Sequence, residues 1–382
     1  VAITLKQPFA PFLQTTAEAL LIFPRHIWEN VTDPKTYTGE GAFTGTGAYR
    51  LVEYSQAEGA YLYEANHDFF LGDPYVQRIE FVPTSDNYLA LLNGDIAAFD
   101  QFGGVTDEML APFADAPYEV RVAPGEWGMF LYFNLEQDTP LRDARVRQAI
   151  AHAVDRAALV ERVLFGFGEA GSPGFLPPAN PFYNPDAPDY AHDPERARAL
   201  LAEAGYDGTP FKLAYSTDWI MASPRVVEII ESGLSEVGIP LEHIVMDQAT
   251  MDAATTEGNY EMALIGFGGL GGDPDQLRRS FASSSALRGF ARALGYSNPD
   301  FDALAEAQLG LADAQARREA IYAMQTILAE DLPVLPLYYT ARVVVFNAAV
   351  FDNWTYTPGG WGGGIPMLYN KHQFIVGTPT GL

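Results

Sequence analysis

The stretch WGMFLYFNLEQDTPLRDARVRQAIAHAVD, residues 127–155, limits what the chain can become more than any other, because a strand-length apolar run and a capped helix meet in it. Met129, Phe130, Leu131, Tyr132 and Phe133 are bulky without interruption, which predicts a buried strand. Asn134 and Pro140 end it. After a polar loop, Asp143 is placed to cap a helix in which Val146, Ile150 and Ala153/Val154 recur at three and four residues, with Arg145 and Arg147 on the opposite face. Asp155 caps a second helix with Leu159, Val160, Val163 and Leu164 inward, ending at Gly166. A strand that runs straight into two helices at this point reads as a crossing between domains.

The same block, FNLEQDTPLRDARVRQAIAHAVDRAALVERV, resembles the segment that enters the second lobe in the family 5 solute-binding proteins of ABC transporters, the peptide and nickel group. GTGAYRLVEY (residues 45–54) is similar to that family's GTGPYxL strand, ANHDFFLGDPYVQRIEF (65–81) to its N-x-x-Y-W-x-G-x-P segment, and LLNGDIAAFD (91–100) to its L-x-x-G-x-x-D turn. These stretches follow the family's order over nearly the whole chain. The resemblance implies an α/β, periplasmic-binding-protein-like fold of type II: two mixed-sheet lobes joined by two hinge strands. It divides the chain into an N-terminally incomplete first lobe (1–128), a second lobe (129–340), and a return to the first lobe with a C-terminal tail (341–382). The opening VAITLKQPF reads as an internal strand that in the family follows an earlier part of the first lobe, so the chain is expected to be a piece lacking that part.

At 382 residues the chain exceeds one ordinary core and predicts two or three domains. Its net charge of −26 arises from 49 acids against 23 bases, with lysine only at Lys6, Lys35, Lys212 and Lys371. A field of that sign repels phosphate backbones and anionic lipid, which argues against nucleic-acid and membrane-surface binding. Cysteine is absent, so disulfides, zinc-thiolate sites and cysteine nucleophiles are excluded. No apolar run approaches the roughly 18 residues of a membrane span, and the start lacks the pattern of a signal peptide.

Along the chain, a short helix is predicted around residues 17–21, followed by a turn holding His26 as a structural residue, a loop over 32–47, and strands around 49–54, 61–63 and 79–81. Helices follow at 87–92 and 107–112, then a strand at 118–122. Residues 166–189 form a long Pro/Gly/Asn-rich loop, which suits a lid, a binding loop or a surface embrace. Asp193, Pro194 and Gly205 punctuate the next helix. A βαβαβ pattern then runs from a strand at 211–216 through a helix ending at Gly238, a strand at 244–246 and a helix at 250–257 to a strand at 260–267, which predicts neighbours in a parallel or mixed sheet. Asp313 caps a last helix, Pro333 stops it, and 334–346 is the second crossing. The tail, with Trp354, Trp361 and the glycines of 359–364, suggests no place of its own.

Residues 266–271, GFGGLG, match G-x-G-x-x-G after a strand, but no helix opens at once and Asp273 and Asp275 stand where phosphate would sit. The segment reads instead as a close-approach loop at the carboxyl end of a strand, where open α/β sheets bind ligands. Asp273 and Asp275 are read chiefly as helix caps, with a catalytic carboxylate pair as the rival. The resemblance aligns this turn with the family's W-x-x-D-x-x-D-P: Asp273 and Pro274 match the final D-P, Phe267 takes the place of the Trp, and Leu270 that of the acid which anchors a peptide amine in some members. A buried ammonium needs a counter-ion, so a ligand with a free amine needs another acid here. Trp127 and Trp219 flank strand ends and suit either a cleft or packing. The histidines, among them His152 and His192, have no HExxH spacing, and no G-x-S-x-G elbow occurs.

The expected ligand-binding set is therefore Trp127, Trp219, Phe267, Gly269, Leu270 and Asp273, without catalytic residue, metal or cofactor. The expected role is that of a periplasmic or extracellular, monomeric binding component of an ABC importer, capturing a peptide or other small organic solute and passing it to a membrane permease, with lipid anchoring left open. The rivals are a glycoside-type hydrolase using cleft acids and a sensory or peptide-chaperoning module.

Overall fold

A computed structural model describes residues 2–17, 20, 22–34, 36–39, 41–55, 57–218, 224–284, 293–356 and 366–375. Trp219, Trp361 and the glycines of 359–364 lie outside the described residues. After a π-helical turn (Phe12–Ala17) and helix α1 (Arg25–Trp28), strands β1 (Tyr49–Ser55), β2 (Ala60–Ala65) and β3 (Arg78–Phe81) form an antiparallel sheet in that order. Tyr49, Tyr63 and Ile79 pack from it against Phe69, Trp354, Phe374 and Ile375, so the tail closes over this sheet. Pro74 bridges Ile375, and the amide of Tyr75 donates to the Phe374 carbonyl at 2.8 Å. That gives Trp354 a place in packing which the sequence did not suggest.

The main body continues through α2 (Asn87–Asn93), β4 (Ala98–Phe102), α3 (Asp107–Leu110), β5 (Tyr118–Phe133), α4 (Ala144–Ala153), α5 (Arg156–Arg162), β6 (Gly168–Ala170), α6 (Pro194–Ala204), β7 (Phe211–Ser216), α7 (Pro224–Glu236), β8 (Leu241–Met246), α8 (Gln248–Glu257), β9 (Met262–Phe267), α9 (Gln276–Phe281), α10 (Pro299–Ala307), α11 (Ala314–Asp331) and β10 (Val334–Asn347). Its sheet runs β4-β10-β5-β9-β7-β8, with β6 also on β10. β7 lies parallel to both β8 and β9, as the βαβαβ pattern predicts. Asp143, Asp155, Asp193 and Asp313 each accept a backbone N–H at the start of their helix, and Gly94 and Gly205 end theirs in the left-handed conformation.

The 16-residue β5 and the 14-residue β10 pair antiparallel from Tyr132 and Val334 at one end to Tyr118 and Asn347 at the other. One end is buried between two apolar layers, with Met129, Leu131 and Phe133 facing α4, α6 and α7, and Phe130 and Tyr132 facing α9, α10 and α11. The other end serves a different core, with Val343 and Val345 against Leu91, Phe99 and Phe113. Between these ends Thr340 pairs with Trp127 and Arg342 with Ala123, so Pro124, Gly125 and Glu126 face the single residue Ala341. This bulge brings backbones together: a Cβ on Gly125 would sit 1.2 Å from the Thr340 carbonyl oxygen.

Three expectations are corrected, and a fourth lies partly outside the described residues. Residues 2–5 join no ladder, and Ile3 and Leu5 are exposed, because β-forming side chains need a neighbouring strand that none of the described residues offers here. The predicted helix around 17–21 falls partly outside the described residues, and the π-helical turn lies before it. Arg147 is not on a solvated face but 4% exposed, donating to the carbonyls of Leu141, Arg142, Asp331 and Leu332, and so ties α4 to the end of α11. Finally, Asp275 makes no side-chain cap on α9. The long 166–189 loop proves to be an embrace: Phe175 and Leu176 enter the core, and Asn184 bonds Gln325, Tyr322 and Thr326 of α11.

Candidate functional site

The turn after β9 is where the expected ligand residues converge in sequence, and the structure spreads them over two faces. Phe267 ends β9 half-buried, its ring centroid 6.3 Å from that of Phe130 and 6.1 Å from that of Phe175. Gly268 admits no side chain, because a Cβ there would lie 2.2 Å from the Trp127 indole. Trp127 itself packs with the layer that holds α4 and α7, on the other side of the sheet from Phe267 and Leu270. Gly269 takes a φ of 73°, is exposed and has open space beside it. Leu270 then turns into the core, 1% exposed; its amide donates to the Glu126 carbonyl at 3.3 Å, and its own carbonyl accepts from Asn180 at 2.7 Å.

Asp273 is held by protein partners. Arg317 Nη1 and Nη2 donate to its two carboxylate oxygens at 2.8 and 2.5 Å, and its Oδ1 also accepts the Asp275 amide at 2.9 Å. Asp275 in turn accepts Arg278 Nε and Nη2 at 2.7 and 2.8 Å and Gln308 Nε2 at 2.8 Å. Gln308 Oε1 closes the ring by accepting Arg317 Nε at 3.0 Å. Both acids are buried and both are neutralised by a fork-shaped arginine contact, so neither is poised for proton transfer or for gripping an incoming amine. The sequence could not show this, since Arg317 stands 44 residues beyond Asp273.

Sequence reasoning missed a second group of charges, at the bulge. Glu126 is half-buried, and burial raises its carboxyl above the usual range, with the Arg342 charge pulling the other way. Arg342 donates to Asp100 at 2.7 Å and lies over the Phe102 ring at 5.1 Å, while its Nε is buried without a partner. Tyr369 of the tail donates to the other Asp100 oxygen at 3.4 Å. The signals were the Pro-Gly-Glu run before the first crossing and an arginine inside an apolar strand. Among the described residues no group of three or more His, Asp or Glu could hold a metal, and no helix is long and apolar enough to cross a membrane.

The profile of the bacterial extracellular solute-binding proteins, family 5 Middle, matches residues 1–288. The chain is 29% identical over 308 residues to heme-binding protein A of Haemophilus influenzae, covering 78% of this chain and 54% of that protein. It is 24% identical over 368 residues to the dipeptide-binding protein of Escherichia coli, covering 92% and 65%. The chain thus spans about half to two thirds of the length of these curated relatives. Among solved structures, the oligopeptide-binding protein AppA of Bacillus subtilis in complex with a nonapeptide superposes with a TM-score of 0.73 at 22% identity, over 97% of this chain and 74% of that one. The substrate-binding protein CtaP of Listeria monocytogenes gives 0.72 at 24% identity, over 85% and 66%. These likenesses establish a mixed α/β periplasmic-binding-protein fold.

Proposed function

Because the chain belongs to family 5 of the bacterial extracellular solute-binding proteins, we propose that it forms the greater part of the substrate-binding component of an ABC importer. It captures a peptide or other small organic solute and hands it unchanged to a membrane permease. The lobes of this reading are residues 1–128 with 341–382, and residues 129–340. The cargo sits between them beside the carboxyl end of β9, near Phe267, Gly269 and the bulge at Glu126. The observation that carries the reading is the pair β5 and β10, which runs through both packed regions and departs from regular register at Leu337 and, more widely, at residues 124–126 opposite Ala341. The larger of the two irregularities, three residues against one, is where bending concentrates, as closure around a ligand requires.

The relatives include heme-, dipeptide- and glutathione-binding proteins, which supports a small organic cargo, and a periplasmic-binding protein of Escherichia coli, which with the extracellular family supports a periplasmic or extracellular setting. The hydrolase rival loses its best pair of acids, because Asp273 and Asp275 already serve Arg317 and Arg278. Trp219 stays in the candidate set on sequence grounds, whereas Leu270 and Asp273 act by shaping the turn. The test is native mass spectrometry of the protein purified with its endogenous ligand. A stoichiometric, chemically intact small molecule supports the proposal; a bound species that turns over on incubation overturns it.

A further inference from the structure

The bulge between β5 and β10 has a charged side chain on each strand, and the two are tied to different parts of the molecule. Arg342 of β10 is fixed to the region of Leu91, Phe99 and Phe113: its Nη2 donates to Asp100 of β4 at 2.7 Å, and Tyr369 of the tail donates to the other oxygen of that carboxylate. Glu126 of β5 is fixed to the turn after β9, since its carbonyl accepts the Leu270 amide at 3.3 Å and Leu270 is buried in the layer of α9, α10 and α11. Between them the register slips, with Arg342 opposite Ala123, Thr340 opposite Trp127, and Glu126 among the three residues set against Ala341. A change of bend at this point therefore moves Glu126 relative to Arg342.

The two side chains are neighbours that do not meet. The Arg342 charge acts on the Glu126 carboxyl, yet no ion pair within 4.0 Å joins them. Each is left incomplete: Arg342 Nε is buried without a partner, and among the described residues nothing donates to the half-buried Glu126 carboxylate. A buried donor without an acceptor and a desolvated carboxylate without a donor are both costly, and each is what the other lacks. The other charges nearby are committed, Asp100 to Arg342 itself and Asp273, on the turn after β9, to Arg317.

We propose that Glu126 and Arg342 are the two halves of a latch: when the strands bend at the bulge, the ionised Glu126 carboxylate accepts the free Arg342 Nε–H, and a proton on Glu126 releases it. The proposal rests on the reading of β5 and β10 as the hinge of a solute-binding protein, and adds that acidity sets the hinge with no cargo present. A protonated carboxyl offers the guanidinium no charge, so the latched state gains weight as pH rises. Pairing also relieves part of the burial penalty on the ionised side chain, which is what draws the strands into the bend.

The chain has no cysteine, so two spin labels can be attached without removing a native thiol. Glu108→Cys on α3 and Glu195→Cys on α6 put one exposed label on each side of the bulge. Pulsed electron paramagnetic resonance then reads the distance between them at about pH 4 and about pH 8, on either side of carboxylate ionisation, with no ligand added. Two populations are expected, with a ratio that changes by roughly tenfold or more between the two conditions, as a charge-assisted hydrogen bond allows. Glu126→Gln should abolish the change, and so should Arg342→Gln made together with Asp100→Asn, which leaves no acid stranded. Glu119→Gln, on the same strand and paired with Arg121, should keep it, and far-UV circular dichroism checks that every variant is folded at both pH values. A change that survives Glu126→Gln or the Arg342 variant overturns the latch. Two populations whose ratio ignores pH overturn the latch and leave the hinge standing, whereas one fixed distance in every sample overturns latch and hinge together.

Discussion

Replacing Arg317 by Met tests whether Asp273 is architectural. The Arg317 side chain is 9% exposed and that of Asp273 3%, so solvent screening offers little relief if either loses its partner. In Arg317→Met, Asp273 keeps only the 2.9 Å bond from the Asp275 amide, and Gln308 Oε1 loses both of its donors. Breaking a buried ion pair from one side costs about 3–5 kcal/mol, against a total stability of about 5–15 kcal/mol for a typical domain. Met retains most of the apolar stem, so the loss is electrostatic rather than a cavity. Urea unfolding followed by near-UV circular dichroism should show the midpoint fall by an amount in that range with an unchanged slope. Asp273→Asn combined with Arg317→Met removes the stranded charge and should be more stable than Arg317→Met alone. A single-variant cost below about 1 kcal/mol would refute the reasoning, because it would mean that the carboxylate is hydrated despite its burial.

Further expectations follow from the bulge and from the turn after β9. Gly125→Ala drives a Cβ into the Thr340 carbonyl and should lower the thermal midpoint by several degrees; an unchanged midpoint in differential scanning calorimetry would show that the two strands separate freely there. Gly268→Ala must displace the Trp127 indole, so its near-UV spectrum should differ from wild type, while adding it to Trp127→Phe should change the spectrum far less. Burial holds the Glu126 carboxyl above its ordinary 4.5. Below that value both folded and unfolded chains are protonated and no penalty exists; as pH rises past it the unfolded chain ionises first and stability is lost until the folded carboxyl also ionises. Glu126→Gln should therefore gain in thermal midpoint relative to wild type as pH rises past about 4.5, and a difference that does not vary with pH contradicts this.

Local signals in the sequence were strong where one side chain settles its own backbone. The caps Asp143, Asp155, Asp193 and Asp313 and the stop at Gly205 needed only short-range chemistry, and the apolar runs of β5 and β10 announced both long strands. Long-range partners were invisible. Arg147 sits at a helical position that looks solvated until the last carbonyls of α11 arrive from 184 residues away. Asp273 and Asp275 look like caps, or like a reactive pair, until Arg317, Gln308 and Arg278 claim every oxygen. Leu270 was legible as an apolar residue in an unexpected place, but not its burial, which depends on Asn180 and Glu126 fixing the turn. Faces were the other gap, since Trp127 and Phe267 are close across the sheet yet point to opposite layers.

The shared ladder of β5 and β10 has a practical consequence for anyone wishing to dissect this molecule. Each strand furnishes side chains to the interior at both of its ends, Phe133 and Val334 at one, Val120 and Val345 at the other. A cut near residue 128 or 340 would therefore not release two autonomous halves but would strip each half of a central rib and bare a long hydrogen-bonding edge. Such fragments should clump unless co-expressed, and dissection has better prospects by grafting the β1–β3 sheet, whose ladder is its own.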